Sequence, residues 1–179
     1  MPSVDPARVE RLKALIRDVP DFPKPGIVFK DITPLLKDPE GLRESGRLLA
    51  ALCSEARPDV VVAIESRGFI LGGALAIRLG AGFVPVRKPG KLPARSIRAS
   101  YALEYGTDSL EMHEDAVGPA DRVLVVDDVI ATGGTARATG ELVEAAGARV
   151  SAYLFLVELG FLDGRAKLEG SDVRSLIRF

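Results

Sequence analysis

Apolar residues along this chain follow two periods, and the two periods alternate. Short unbroken apolar runs occur at Asp59–Glu65, Gly82–Arg87, Arg122–Val126 and Arg149–Glu158. Continuous runs of this length read as strands buried on both faces of a parallel sheet. Between them, apolar positions recur at helical spacing. Asp5-Pro6 offers an N-cap with proline at the first helical position, and Val9, Leu12, Leu15, Ile16 and Val19 then predict a helix closed by Pro20. A second helix is predicted from about Pro39 to Ala56, and a third, rich in Ala and Gly, from Ser66-Arg67-Gly68 to near Gly80. Leu142, Val143, Ala146 and the stop signal Gly147 describe a fourth.

Three stretches break the alternation. Asp21–Pro34 is too proline-rich for a continuous helix and too apolar for a linker, so it should be an ordered, extended segment lying over something. Lys88–Arg98 turns basic and is punctuated by Pro and Gly, after which Ser100–Tyr105 and Ser109–His113 alternate as a strand pair joined through Gly106-Thr107. The tail, Phe161–Phe179, has room for a short helix and a last strand. Strand–helix alternation predicts an α/β fold with a doubly wound, mostly parallel sheet and flanking helices. Ligands of such sheets bind at the carboxyl ends of the strands.

Composition narrows the picture. The 179 residues suffice for one domain with a full core, so a single domain over 1–179 is expected. With 24 basic and 25 acidic residues the net charge is −1, which leaves no electrostatic footprint for nucleic acid or an anionic membrane. Cys53 stands alone, so no internal disulfide framework exists. No signal peptide or membrane span is visible, and a soluble cytoplasmic protein is expected. Asn and Gln are absent altogether. This depletion of thermolabile side chains predicts heat resistance, with GC-rich codon usage as the competing explanation.

The densest chemical signal is Arg122–Thr135. An apolar strand ends in two acids, Asp127 and Asp128, and is followed by the small-residue loop Ala131-Thr132-Gly133-Gly134-Thr135 and a helix. Such a loop aims backbone N–H groups at an anion, and the helix N-terminus adds its positive dipole end. The paired carboxylates stand where they can accept hydrogen bonds from the vicinal hydroxyls of a ribose. No Gly-Lys-Ser/Thr follows the glycines, and no G-x-G-x-x-G is present, so neither the Walker A loop nor the dinucleotide fingerprint applies. The run Arg87–Pro93 places the cations Arg87, Lys88 and Lys91 in five residues without compensating acids, which calls for a bound anion or open solvent. His113 reads as a strand residue, not as a ligand.

The Asp-Asp and Ala-Thr-Gly-Gly-Thr string resembles the phosphoribosyl-pyrophosphate (PRPP) signature of the type I phosphoribosyltransferases. Three further segments resemble the adenine-specific members of that family. Glu65-Ser66-Arg67-Gly68-Phe69 is similar to their pyrophosphate loop, which implies that Arg67 meets the leaving group and that a cis peptide bond joins Glu65 and Ser66. Ser100-Tyr101, followed after two residues by Glu104-Tyr105-Gly106, is similar to their flexible-lid motif. By that resemblance Glu104 carries the proton of the purine ring and Tyr105 closes on the ribose and pyrophosphate. Asp21–Pro34 resembles their base-binding hood, making residues 1–36 an N-terminal helix plus hood. Val28 and the backbone around Lys30 would hold the adenine edge, while Lys30 stands where many relatives carry Arg. The resemblance runs from about Asp21 to Glu158 and implies a homodimer.

Adenine plus PRPP giving AMP plus pyrophosphate is therefore the implied reaction. Mg²⁺ would be the cofactor, held by substrate oxygens and water more than by protein. Arg67, Arg87, Lys88 and Lys91 would face the diphosphate, Asp127 and Asp128 the ribose, and Ala131, Thr132, Gly133, Gly134 and Thr135 the 5′-phosphate. Two rivals follow from the same signature. One is a transferase for another base, which shares the phosphate loop. The other is a PRPP-sensing regulator, against which the neutral charge and Glu104 argue.

Overall fold

The computed structural model describes residues 5–102 and 107–179. Five strands form a wholly parallel sheet: β3 (Val60–Ile64), β4 (Gly82–Val86), β7 (Arg122–Ile130), β8 (Arg149–Glu158) and β9 (Val173–Arg178), in the spatial order β4-β3-β7-β8-β9. Strand alternation sends side chains to two separate cores. Val61, Leu124, Val126 and Leu154 pack beneath α1 (Pro6–Lys13), α3 (Pro39–Cys53) and α4 (Arg67–Leu79). Val62, Val123, Val125 and Phe155 pack on the other face beneath α5 (Gly134–Ala145) and a separate hairpin, β5 (Ser96–Ala102) with β6 (Thr107–His113). Covering both faces is what makes the strand sequences continuously apolar.

The sheet order reverses direction between β3 and β7. Chain leaving β3 moves to β4 on one side, and chain leaving β7 moves to β8 on the other. That switch opens a crevice above the carboxyl ends of these two strands, bounded by Glu65-Ser66 and Asp127-Asp128. The β7 strand runs beyond the two acids to Ile130, four residues further than its apolar run suggests, because Asp127, Val129 and Ile130 continue the ladder with β8.

The first helix is shorter than predicted. Asp5 caps it through the Ala7 amide at 3.0 Å, but it stops at Lys13. Arg17–Pro20 is instead strand β1, antiparallel to β2 (Val28–Asp31). The apolar spacing of Leu15, Ile16 and Val19 suits a helix, but residues 17–20 pair their backbone with β2 instead. Arg17 lies opposite Asp31 and Asp18 opposite Lys30, and both pairs close as ion pairs at 2.5 and 2.6 Å. The segment Asp21–Pro34 is ordered as expected, but as a turn, a strand and the start of a short helix, α2 (Thr33–Lys37), rather than as one extended stretch. The turn closes through Gly26 N–H donating to Asp21 Oδ1 at 2.7 Å.

The other helices fall close to their predicted bounds. Gly80 ends α4 at φ +67°, a left-handed cap that suits glycine. The hairpin begins at Ser96, four residues before its alternation becomes visible. His113 closes β6, where Nε2 accepts from the Ala94 amide at 3.4 Å. Cys53 is buried against the core, and burial pushes its thiol up to about 11, so it stays protonated and inert near neutrality. Among the described residues no helix is long and apolar enough to cross a membrane.

Candidate active site

A cavity of about 520 Å³ occupies the crevice at the switch point. Val28, Lys30, Arg67, Lys88, Asp127, Asp128, Ala131 and Thr135 all line it, together with Glu65, Ser66 and Tyr101. A smaller cavity of about 70 Å³ adjoins it and shares Asp127, Ala131 and Thr135, and Thr132, Gly133 and Gly134 line its far side. With Leu159 and Leu162, at least six separate segments therefore converge on one space.

The small cavity is the turn between β7 and α5. Gly133 precedes α5 at φ +76°, and no side chain caps that helix. First-turn N–H groups without a side-chain cap are left to face whatever anion enters. Sterics hold the turn instead. A Cβ on Gly133 would lie 2.2 Å from the Gly164 carbonyl oxygen, and one on Gly164 would lie 2.3 Å from that of Ala131. Two glycine backbones in direct contact thus fix the loop, and a branched side chain fits at neither.

The paired acids are unequal. Asp128 is 5 % exposed and receives Arg67 Nε at 2.5 Å. Asp127 accepts the Asp128 amide at 2.9 Å. Burial, and then the neighbouring Asp128 carboxylate, push the Asp127 carboxyl well above the ordinary range. By surface area it keeps partial contact with the cavity, so the carboxyl is withdrawn from bulk water yet open toward the crevice. Gly68 is required beside it, since a Cβ there would meet Asp127 Oδ1 at 2.8 Å.

Arg67 opens α4 directly after the Glu65–Ser66 peptide bond, which is cis. Its guanidinium lies 5.1 Å from the centre of the Phe29 ring, and Phe22 meets Phe29 edge-on at 5.3 Å. The apolar wall of the crevice is thus Phe29, Val28 and Ile27 on one side, with Leu159 and Leu162 contributed by the tail. Lys30 turns its ammonium to Asp18 and to the Phe179 ring, 4.0 Å from that ring's centre. Its side chain is committed to these partners, which leaves its backbone as the part available to the cavity.

The basic segment differs from its sequence reading. Its cations do have compensating acids, supplied by distant strands. Glu65 receives Arg87 Nε at 3.2 Å, Lys91 Nζ at 3.2 Å and the Lys88 amide at 2.8 Å. The Lys88 ammonium pairs with Asp108 and approaches Tyr101 Oη at 3.4 Å. Burial alone would raise the Glu65 carboxyl, but the Lys88 amide, Lys91 and Arg87 outweigh it and hold the group below the usual range. Burial likewise disfavours charged Lys88, and Asp108 and Tyr101 reverse that effect. Arg87 and Lys91 line neither cavity and reach it only through Glu65. Glu104 and Tyr105 lie outside the described residues.

Sequence reasoning gave no role to Asp108, Leu159, Leu162 or Gly164, and named Tyr101 only as part of the lid motif. Leu159 and Leu162 follow the carboxyl end of β8, so the rule that ligands sit at strand ends had the means to find them. Tyr101 and Asp108 owe their place to hairpin register, and Gly164 owes its place to tertiary contact alone. A groove of about 500 Å³ between α1 and α3 shares no residue with the crevice.

A parallel sheet whose switch point gathers paired acids, a glycine-led helix start and a cluster of cations defines an α/β protein built for a phosphorylated sugar. Residues 31–171 match the family model described as the phosphoribosyl transferase domain. The adenine phosphoribosyltransferase of Carboxydothermus hydrogenoformans is 59% identical over 168 residues, covering 94% of this chain and 99% of the relative. A crystal structure of the enzyme of that name from Thermoanaerobacter pseudethanolicus superposes with a TM-score of 0.94 at 56% identity, covering 96% of this chain and 99% of the other. The Saccharomyces cerevisiae adenine phosphoribosyltransferase, crystallised with adenine and an imino-altritol bisphosphate, gives a TM-score of 0.91 at 41% identity over 96% and 99% of the two chains. The chain belongs to the phosphoribosyltransferase family, on the branch of the adenine phosphoribosyltransferases.

Proposed function

We infer that this enzyme transfers the phosphoribosyl group of PRPP to adenine, giving AMP and pyrophosphate. The observation that carries this reading is the convergence of the hood, Arg67 and Lys88, the paired acids and the phosphate loop on one crevice. The yeast relative crystallised with adenine supports the choice of base.

In this reading the turn 131–135 anchors the 5′-phosphate, and that remote binding energy positions the ribose C1. Asp127 and Asp128 accept the ribose hydroxyls. Arg67 and Lys88, with Arg87 and Lys91 behind Glu65, face the diphosphate and offset the charge it gains as the C1–O bond breaks. The adenine ring nitrogen forms the new bond to C1 and loses its proton, for which Glu104 is the proposed acceptor. Phe29 and Val28 pack on the base. A purine amine and ring nitrogens are readable by the backbone N–H and C=O groups near residue 30, which needs no charged side chain there.

Among the described residues no group of three or more His, Cys, Asp or Glu converges as a metal cage. Mg²⁺ would arrive with the diphosphate, held mainly by substrate oxygens and water, and would supply charge neutralisation there. Assembly as a homodimer belongs to the same proposal.

A base panel tests it. With PRPP and Mg²⁺, adenine should exceed hypoxanthine, guanine and xanthine by about a hundredfold or more in kcat/KM, since a 6-oxo purine leaves buried partners unpaired. Comparable turnover of guanine would remove adenine and keep the fold. Glu104→Gln should lower kcat by about two orders of magnitude with little change in PRPP affinity.

A further inference from the structure

Every cation expected to meet the diphosphate already holds an acid of its own chain. Arg67 pairs with Asp128, Lys88 with Asp108, and Arg87 and Lys91 both with Glu65. Asp128 has a proposed ribose to bind, and Asp108 belongs to the hairpin. Glu65 has no role in the transfer as derived above. Yet its side chain is only 11% exposed, and it lines the crevice in which a polyanion must dock.

Glu65 is also held in place. Its amide donates to the Val86 carbonyl at 2.9 Å, continuing the β3–β4 ladder, and Arg67 begins α4 two residues later. Its carboxylate spans three donors, with Oε2 on the Lys88 amide and Arg87 and Oε1 on Lys91. An incoming diphosphate can draw the long Arg87 and Lys91 side chains to itself, but Glu65 stays beside it at the strand end. Like charges a few ångströms apart in a part-buried site repel strongly.

We propose that Glu65 is an internal counter-anion that organises the cations of the free site and weakens its hold on pyrophosphate. The inference rests on the phosphoribosyl-transfer reading. When the C1–O bond breaks, its electron pair stays with the diphosphate oxygen, so free pyrophosphate carries more negative charge than the diphosphate arm of PRPP. Repulsion from Glu65 therefore acts more strongly on the product than on the substrate and speeds the product's departure.

The test is calorimetric titration of pyrophosphate, in the presence of Mg²⁺, into the full chain and its variants. Glu65→Gln keeps an acceptor for the Lys88 amide and removes the charge, so pyrophosphate should bind roughly tenfold or more tightly, PRPP less so. Pyrophosphate should then inhibit turnover more strongly. Glu65→Ala removes the same charge by another route and should also tighten binding, which covers a folding failure of either variant. Glu65→Asp keeps the charge and should stay within about threefold of the parent. A residue that merely scaffolds the cations predicts the opposite sign. Unchanged or weakened affinity in the charge-removing variants, or equal tightening in Glu65→Asp, overturns the proposal. A parent chain that does not bind pyrophosphate, or an Arg67→Ala variant that binds it undiminished, overturns the diphosphate site itself.

Discussion

The hood hairpin and the phosphate loop face each other across the crevice and are stabilised by opposite means. The hairpin β1–β2 is pinned by side chains. Asp31 accepts from the Thr33 amide at 2.8 Å, from Thr33 Oγ1 at 2.9 Å and from Arg17, and Lys30 pairs with Asp18. The loop 131–135 has no side-chain cap on its helix, and it packs backbone to backbone against Gly164. A loop that uses backbone N–H groups as ligands cannot also spend them on capping side chains. On the proposed function the hood reads the base through its backbone, which frees its side chains to anchor it. The difference marks where binding groups must be kept vacant.

Damage to the two regions should therefore separate by substrate. The largest effect is expected at Gly133 and Gly164. Gly133→Ala places a Cβ at 2.2 Å from the Gly164 carbonyl oxygen and forces a strained φ, so the turn must shift. A displacement of about an ångström in a positioning loop costs roughly a hundredfold in kcat/KM. Steady-state kinetics should place the loss on PRPP, with adenine KM little changed. Gly164→Ala should do the same from the other side. Equal losses on both substrates would show that the loop supports the whole crevice and not the phosphate alone.

The hood should break more gently and on the other substrate. Asp31→Ala removes the acceptor for Thr33 and Arg17. Hydrogen bonds of this kind at an exposed edge contribute about 1 kcal/mol in net terms, so adenine KM should rise roughly fivefold. PRPP KM should stay near its parent value. A matched rise in both constants would sink the division of labour between the two regions.

The same contrast explains what the sequence revealed. The phosphate loop was legible because its function dictates local chemistry: glycines, small residues and acids in consecutive positions from Asp127 to Thr135. The core strands β3, β4, β7 and β8 were legible because both faces of the sheet bury their apolar runs, whereas their spatial order was not. The hood was only partly legible. Arg17–Pro20 carries apolar spacing suited to a helix, and only its pairing with Val28–Asp31 makes it a strand. The basic segment misled for a similar reason. Glu65 lies 22 residues before Arg87 and Asp108 lies 20 residues after Lys88, and neither pairing leaves a trace in local pattern. Gly164 became visible only through the loop that it touches.

Asp127 and Asp31 extend the comparison to pH, with the smallest expected effects and opposite signs. The Thr33 amide first, then Arg17, hold Asp31 down to about 2. Its contribution is complete above the unfolded carboxylate value near 4 and is lost as pH falls toward 2. Asp127 is raised by burial and by Asp128, so it stabilises the fold while protonated and costs stability as pH rises through its folded value. Asp127→Asn keeps the shape and removes that cost. Ligand-free Asp127→Asn should match its parent in unfolding midpoint at about pH 3–4 and exceed it by a few degrees near neutrality. Its PRPP affinity should meanwhile fall, the trade expected where a binding group is kept under electrostatic stress. Scanning calorimetry across pH checks the first half, and PRPP titration checks the second. A midpoint advantage that shrinks as pH rises would reverse the sign assigned to Asp127 and remove the stressed acid from the account of the site.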